Sequence, residues 1–357
     1  MTIAPAGTRY EDRQLALPRG CTFDPDDWQI LARHWYPVAC SADITEEPTG
    51  ATLLDQPLVL YRVAGQIVVA DNLCPHRGMQ LSLGKAVADG IQCPYHGLRF
   101  GAGGTCTSIP AHPGNKIPAR MNLRAYAVVE RYGLVWTCLA SRADDPTDET
   151  SIPPVPHWQD AGFQQINCPP IDIAAFAGRQ VEGFIDVSHF AFVHAASFAD
   201  EHDVVVPDYT VEPTSDGFEA TYLSTVGNYP HFTGLKADPD YVWRRHFRVH
   251  VPFTATLVID FPDGTKLSIM NAASPVSAKQ TRLFDARVRD FDTDGPLQDV
   301  YDFNQQIFEE DRAMVEAQKP ENLPLDPKLE VHIPADRSSI AYRRALRALG
   351  LSQFFTA

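Results

Sequence analysis

Cys74-Pro75-His76-Arg77-Gly78 and Cys93-Pro94-Tyr95-His96-Gly97 decide how this chain is read. Each stretch offers one thiol and one imidazole at the head of a turn that contains glycine. Two thiolates and two imidazoles suit a [2Fe–2S] cluster in which two Cys hold one iron and two His the other, an arrangement that raises the reduction potential above that of an all-thiolate cluster. A structural zinc ion is the competing reading, because Cys2His2 is also a tetrahedral zinc set. Spacing weighs against zinc, whose sites of this composition pair like with like, C-x2-4-C and then H-x3-5-H. The prolines after each Cys, with Gly78 and Gly97, would let two hairpin tips approach one cluster and aim backbone N–H groups at its sulfurs.

Working outward, the chain has 357 residues, 44% of them hydrophobic, enough for two substantial cores. A small solitary electron carrier is therefore an incomplete explanation. The formal charge of −15 sets a repulsive field against nucleic acid, and that class of partner is excluded. Seven cysteines form an odd set without disulfide-framework spacing, which fits a reducing cytoplasm. Arg9, Glu11, Asp12 and Arg13 precede any apolar run, so the basic-then-apolar order of a signal peptide is missing. No window reaches the ~18 continuous apolar residues of a spanning helix, and no membrane role is expected.

Residues 1–26 read as a tail, followed by a docking helix around Trp28, Ile30, Leu31 and Trp35. Short β-type runs follow, among them Leu58-Val59-Leu60-Tyr61-Arg62-Val63, Ile67-Val68-Val69-Ala70, Tyr126-Ala127-Val128-Val129-Glu130 and Leu134-Val135-Trp136-Thr137. They predict an antiparallel β domain over residues 27–140. Residues 141–156 are rich in Pro and acidic groups and read as a linker. Beyond it, residues 157–357 predict a second domain: a helix near 180–195, β-prone stretches over 208–290 with a turn at Phe261-Pro262-Asp263-Gly264-Thr265, a helix over 297–318 and a C-terminal helix over 340–349. The fold class is α+β, with no internal repeat.

Glu182-x3-Asp186-x2-His189-x4-His194 places two carboxylates and two imidazoles in the first of these helices. Two His and one carboxylate with open positions are what non-heme Fe(II) uses for oxygen chemistry. At 100° per residue Glu182, Asp186 and His189 share one side, but His194 lies about 140° from His189. Both imidazoles reach one metal only if the helix ends or carries a π-type distortion between them. Asp186, one turn before His189, is better placed to accept a hydrogen bond from the other ring nitrogen than to ligate. A third ligand can be sought at Asp311, which lies in the stripe of Ile307, Phe308, Met314 and Val315, with Glu309 on the opposite side. Pairing of Asp311 with a buried arginine is the alternative.

Taken together, the two loops and the later motif, with Glu310-Asp311 and Gln318 in a late helix, resemble the large subunit of Rieske non-heme iron oxygenases. The resemblance covers most of the chain. It implies an N-terminal antiparallel β Rieske [2Fe–2S] domain and a C-terminal catalytic domain whose antiparallel sheet is flanked by helices. Carried over by residue, Cys74 and Cys93 bind one iron of the cluster, His76 and His96 the other, and His189, His194 and Asp311 bind a mononuclear Fe(II). Asp186 becomes the bridge through which electrons arrive. One departure is Leu98, where the family usually has Trp after His-Gly; it removes no ligand. Glu182 stands where many members have Asn.

The resemblance further implies O2 as co-substrate, NAD(P)H used through a ferredoxin or reductase component, and a head-to-tail homo-trimer, or a hexamer built from it. Arg77, Lys85, Arg99, Lys116 and Arg120 are candidates for a basic docking rim, although ordinary surface charge explains each one. A chain of about this length resembles the aromatic O-demethylases and purine-alkaloid N-demethylases, and Asp186-Val187-Ser188-His189-Phe190-Ala191-Phe192-Val193-His194 and Ser339-Ile340-Ala341-Tyr342-Arg343-Arg344 look particularly like the N-demethylase branch. A monooxygenase that demethylates a small aromatic or heterocyclic substrate is the leading reading. A ring or side-chain hydroxylase or dioxygenase is the alternative, and a non-catalytic electron-transfer or sensor protein a third. Phe176, Phe184, Phe192, Phe198, Tyr229 and Phe232 are candidates for the pocket or for the core. Arg244 and Arg245 are expected in strand-surface salt bridges rather than at an anionic substrate.

Overall fold

The computed structural model describes Tyr10, residues 13–147 and residues 149–352, so the tail predicted over 1–26 lies partly outside the described residues. One compact unit ends at Ile152 and a second begins at Pro153. Ile152 and Val155 are both buried, so the Pro-rich stretch contributes side chains to packing despite its composition.

The first unit opens with helix α1 (Pro25–Leu31), started by the Asp24 side chain, which accepts from Asp26 N–H, and by proline at the first turn. It buries Trp28 and Leu31, and Trp28 Nε1 donates to Leu54 O at 2.8 Å. The helix stops before Trp35, which the periodicity had grouped with it. Three small antiparallel sheets follow. Gln56–Val63 is central to one of them, and its Leu58, Val59, Leu60 and Tyr61 are fully buried, as a continuous apolar run in a covered strand should be. The expected strand over 126–130 divides into Ala125–Tyr126 and Val128–Arg131, which belong to different sheets. Ala127 makes the crossing: its N–H goes to Ser141 Oγ and its carbonyl accepts from Thr137 Oγ1. The third sheet, of strands between Lys85 and Ser108, carries the second ligand loop. Its core joins Leu81, Ile91, Leu98 and Phe100 to Cys74 and Cys93.

The second unit is built on one antiparallel sheet in which Thr210–Pro213, Gly217–Ser224, Trp243–His250, Thr254–Asp260, Lys266–Ser277 and Gln280–Arg289 form a continuous meander. Gln164–Asn167 and Ile171–Ile173 both pair with the last of these strands. The turn at 261–265 closes with Phe261 N–H on Thr265 O, and Gly264 takes the positive φ of +87° that favours glycine. The segment expected as one helix over 180–195 is two, α2 (Ala177–Ile185) and α3 (Phe190–Val193). Helices α4 (Leu297–Ala317) and α5 (Arg337–Ala348) complete the unit. In α5, Ser338, Tyr342, Ala345 and Leu346 form one buried stripe. Burial of Leu346 stabilises by about 1.5–3 kcal/mol, and the Tyr342 hydroxyl donates to Pro252 O at 2.7 Å.

Helix α2 packs against the strands Thr254–Asp260 and Lys266–Ser277 and touches α4 and α5. Between α2 and α5 runs a buried ionic network. Glu182 accepts from Arg343 at 2.7 and 2.9 Å and from Arg179 at 3.2 Å, while Glu330 lies 2.7 Å from Arg179 and 2.5 Å from Arg343. Glu182 is therefore a tie between helices, not a group at the second motif's metal site.

Candidate metal centres

Both thiols of the first site are held by short turns. Cys74 N–H donates to Met79 O and Gly78 N–H to Cys74 O; the second loop repeats this with Cys93, Leu98 and Gly97. Gly78 and Gly97 adopt φ of +69° and +71°, a conformation that glycine reaches without strain. Cys74 and Cys93 are buried, whereas His96 is exposed. The two imidazole centroids lie 4.5 Å apart. Burial pushes the Cys74 thiol up to about 11 and Cys93 adds to the rise, while backbone N–H groups of His76 and Arg77 pull the other way. Leu98 fills the position of the family's Trp as part of the core.

The donors can be tested against the group they would hold. His76 Nδ1 is sealed from solvent and faces no hydrogen-bond partner among the described residues, as expected of a nitrogen whose lone pair belongs to a metal. A tetrahedral zinc at about 2.0–2.3 Å would draw all four donors to within about 4 Å of one another. Among the described residues, the grouping of three or more such donors within 4.8 Å is His189, His194 and Asp311; the four loop donors do not form one. Two thiols and two imidazoles that stay apart as pairs fit two irons better than one zinc.

The second motif does converge. Helix α2 ends at Asp186, whose backbone turns to φ −74°, ψ 135°. His189 then precedes the single turn α3, and His194 follows it at φ −104°, ψ 16°, outside helical geometry. This break removes the angular conflict of a continuous helix. His189 Nε2 lies 3.1 Å from His194 Nε2 and 3.5 Å from Asp311 Oδ1, and His194 Nε2 lies 3.1 Å from Asp311 Oδ1. Donors at about 2.1 Å on neighbouring octahedral positions stand about 3.0 Å apart, so the triangle suits one ion bound on a single face. Asp311 forms no ion pair with arginine among the described residues. Met314, placed in its stripe by periodicity, is exposed.

Each imidazole is steadied from behind. Asp186 Oδ2 is 3.2 Å from His189 Nδ1, and its Oδ1 accepts from the Ser188 amide and hydroxyl. Burial works against the Asp186 carboxylate, but His189 and Ser188 outweigh it and hold its pKa below the usual range. Glu310 Oε2 is 2.8 Å from His194 Nδ1 and accepts from Ser197 Oγ, while its Oε1 accepts from Gln306. For His194, burial alone would lower the pKa; Asp311 and Glu310 reverse this and raise it.

A cavity of about 650 Å³ opens from this centre. Phe184, Phe198, Tyr229 and Phe232 line it; Phe176 is core, packed on Phe253, and Phe192 is exposed away from it. Arg244 pairs with Asp260 as expected, but Arg245 does not pair with any carboxylate among the described residues. It is buried in the cavity wall, donates to Val226 O and Gly227 O, and lies over Phe190. Glu310 enters the sequence reading only as the neighbour of Asp311, and Arg287, Asp285 and Asn304 do not enter it. A carboxylate beside Asp311 was visible, but nothing in its spacing said that it faces His194.

Residues 34–127 match the Rieske [2Fe-2S] domain family, and residues 173–351, half of the chain, match the vanillate O-demethylase oxygenase C-terminal domain. The chain is a Rieske non-heme iron oxygenase. The oxygenase is 30% identical over 346 residues to the methylxanthine N3-demethylase NdmB of Pseudomonas putida, covering 92% of each chain. It is 33% identical over 190 residues to the oxygenase component of dicamba O-demethylase from Stenotrophomonas maltophilia, covering 50% of this chain and 53% of that one. The solved structure of NdmA from Pseudomonas putida CBB5 superposes with a TM-score of 0.75 at 27% identity, covering 90% of this chain and 91% of the other. Rieske chemistry brings a [2Fe–2S] cluster and a mononuclear iron to the oxygenase. Among the described residues no helix is long and apolar enough to cross a membrane.

Proposed function

We propose that this oxygenase demethylates a small aromatic or heteroaromatic substrate at oxygen or nitrogen, with electrons from a reductase that uses NAD(P)H. The observation that carries the reading is the convergence of His189, His194 and Asp311 at an aromatic-walled cavity, in a chain related to N- and O-demethylases. Cys74, His76, Cys93 and His96 would hold the cluster, and the convergent triad the single iron. When bound, the cluster supplies electrons one at a time and the iron supplies an O2-activating centre.

The chain's residues set the conditions for that chemistry. Asp186 and Glu310 hold the His189 and His194 Nδ1–H groups, which directs both Nε2 lone pairs to one point. Three donors on one face leave the opposite positions open. Phe184, Phe198 and their neighbours exclude bulk water from the substrate. Overall, R–X–CH3 plus O2, two electrons and two protons give R–X–CH2OH and water, and the hydroxymethyl product releases formaldehyde to leave R–XH.

In a head-to-tail trimer, singly or stacked as a hexamer, Asp186 would be the residue through which a neighbouring protomer's cluster, when bound, supplies electrons to the triad. The exposure of His96 and the 28% side-chain exposure of Asp186 support this, because a second copy can reach both. Arg77, Lys85, Arg99, Lys116 and Arg120 are all exposed and make no ion pair among the described residues, which suits an acidic reductase. The test is anaerobic purification followed by single turnover with a reductase. About three irons and two acid-labile sulfides per chain and stoichiometric formaldehyde are expected. A product that retains every carbon rejects demethylation in favour of hydroxylation.

A further inference from the structure

Arg245 is a buried charge in the cavity wall, 1% exposed and in no ion pair among the described residues. Burial pulls its pKa down to about 10, which leaves it charged at neutral pH; Asp203, which opposes the shift, lies beyond ion-pair reach. Backbone and a ring solvate it instead. Its Nη2 donates to Val226 O at 3.0 Å and to Gly227 O at 2.7 Å, and its guanidinium carbon lies 5.4 Å from the centre of the Phe190 ring. A buried guanidinium without a carboxylate depends on such dipoles, because losing them strands the charge.

These partners belong to two different segments. Val226 and Gly227 open the loop that joins Gly217–Ser224 to Trp243–His250, and farther along that loop Tyr229, Phe232 and Leu235 form cavity wall. Phe190 opens α3, the single turn between the two histidines of the triad. Its ring meets the His189 ring nearly edge to face with centroids 5.0 Å apart, and its carbonyl accepts from the His194 amide at 2.9 Å. Arg245 thus reaches from the loop that shapes the chamber to the turn that aims both imidazoles. A second tie runs nearby, where His231 N–H donates to Ser197 O at 2.8 Å. That bond meets the chain beyond His194, whereas Arg245 engages the turn between the ligands.

We propose that Arg245 is a positioning residue that couples the cavity loop to the iron site. Once His189 and His194 are fastened on a metal ion, α3 is fixed, the Phe190 face is fixed with it, and the guanidinium seated there holds the carbonyls of Val226 and Gly227. By linkage the reverse follows: whatever steadies the loop, a substrate against Tyr229 or Phe232 included, tightens the grip on the metal by the same factor. The coupling rests on the triad as the iron site and not on demethylation.

Hydrogen–deuterium exchange on the cluster-loaded protein checks it, with the mononuclear iron first removed by a chelator and then restored anaerobically as Fe(II). Restoring Fe(II) should slow amide exchange over residues 226–235 by about tenfold. Arg245→Met keeps an apolar stem and loses the charge, so it should bring that difference within about twofold and weaken Fe(II) binding by the factor lost. A merely structural defect would instead speed exchange with and without Fe(II) alike. Phe190→Leu leaves the bonds from Arg245 to the loop and removes the ring face; it should lose the difference too, and decides the matter should Arg245→Met not fold. A difference that survives either variant overturns the coupling through Arg245 and leaves the Ser197 bond as the tie. Fe(II) that binds without any response in the loop overturns the coupling alone, whereas Fe(II) that does not rebind overturns the iron site and the coupling with it.

Discussion

His194 has its Nδ1 2.8 Å from Glu310, a carboxylate that also takes the Ser197 hydroxyl and the Gln306 amide. Such partners fix which ring nitrogen carries the proton and how the ring is aimed. Glu310→Ala is therefore expected to weaken Fe(II) binding by about 10- to 100-fold, measured by anaerobic titration, with the visible absorption of the cluster unchanged. An unchanged Fe(II) affinity would mean that α3 alone orients His194. The four loop donors and the Asp186, His189 and His194 spacing were legible because short-range chemistry leaves short-range patterns. Asp311 was legible as a stripe position and by resemblance. The contacts of Glu310 with His194 and of Arg287 with Asp285 and Asn304 were not, because they depend on which strand or turn faces them across the fold, information that periodicity does not contain. Arg245 was misjudged for the same reason: alternation along Trp243–His250 says which side a residue takes, not that this side is a cavity.

Elements were readable in kind more than in extent. The helices over 297–318 and 340–349 and the turn at 261–265 stand close to where apolar period and glycine placed them. The single helix over 180–195 did not survive, because Asp186 turns extended and its carboxylate serves Ser188 and His189. The strand over 126–130 broke for a comparable reason at Ala127. What joins α2 to α5 is ionic: the buried Glu182, Arg179 and Arg343 and the half-buried Glu330 form a quartet with two charges of each sign. Glu182→Ala should destabilise the second unit by about 3–5 kcal/mol, since it leaves arginine charge buried without its partner. Replacing both members, Glu182→Met with Arg343→Met, should recover most of this, because Arg179 and Glu330 remain paired. Urea unfolding of the two variants separates the cases; equal losses would show that Arg343 matters mainly through packing.

At the scale of the molecule, the two units carry the two metal centres separately, and the electron route proposed above crosses between protomers. A Cys74→Ser variant would keep the mononuclear site and a His189→Ala variant the cluster. Each alone should be inactive, and co-expression in mixed trimers should restore formaldehyde release. Verified mixed trimers that stay inactive would confine the route to a single chain. One feature reaches furthest in its effect on selectivity. Asn304 and Asp311 stand on the same rod, α4, two turns apart, so the gap between them cannot flex as a loop would. Helix α4 thus ties the chamber wall at Asn304 to the triad at Asp311 as one piece, so the reach of the chamber along this rod is set by backbone hydrogen bonds and not by side-chain rotamers.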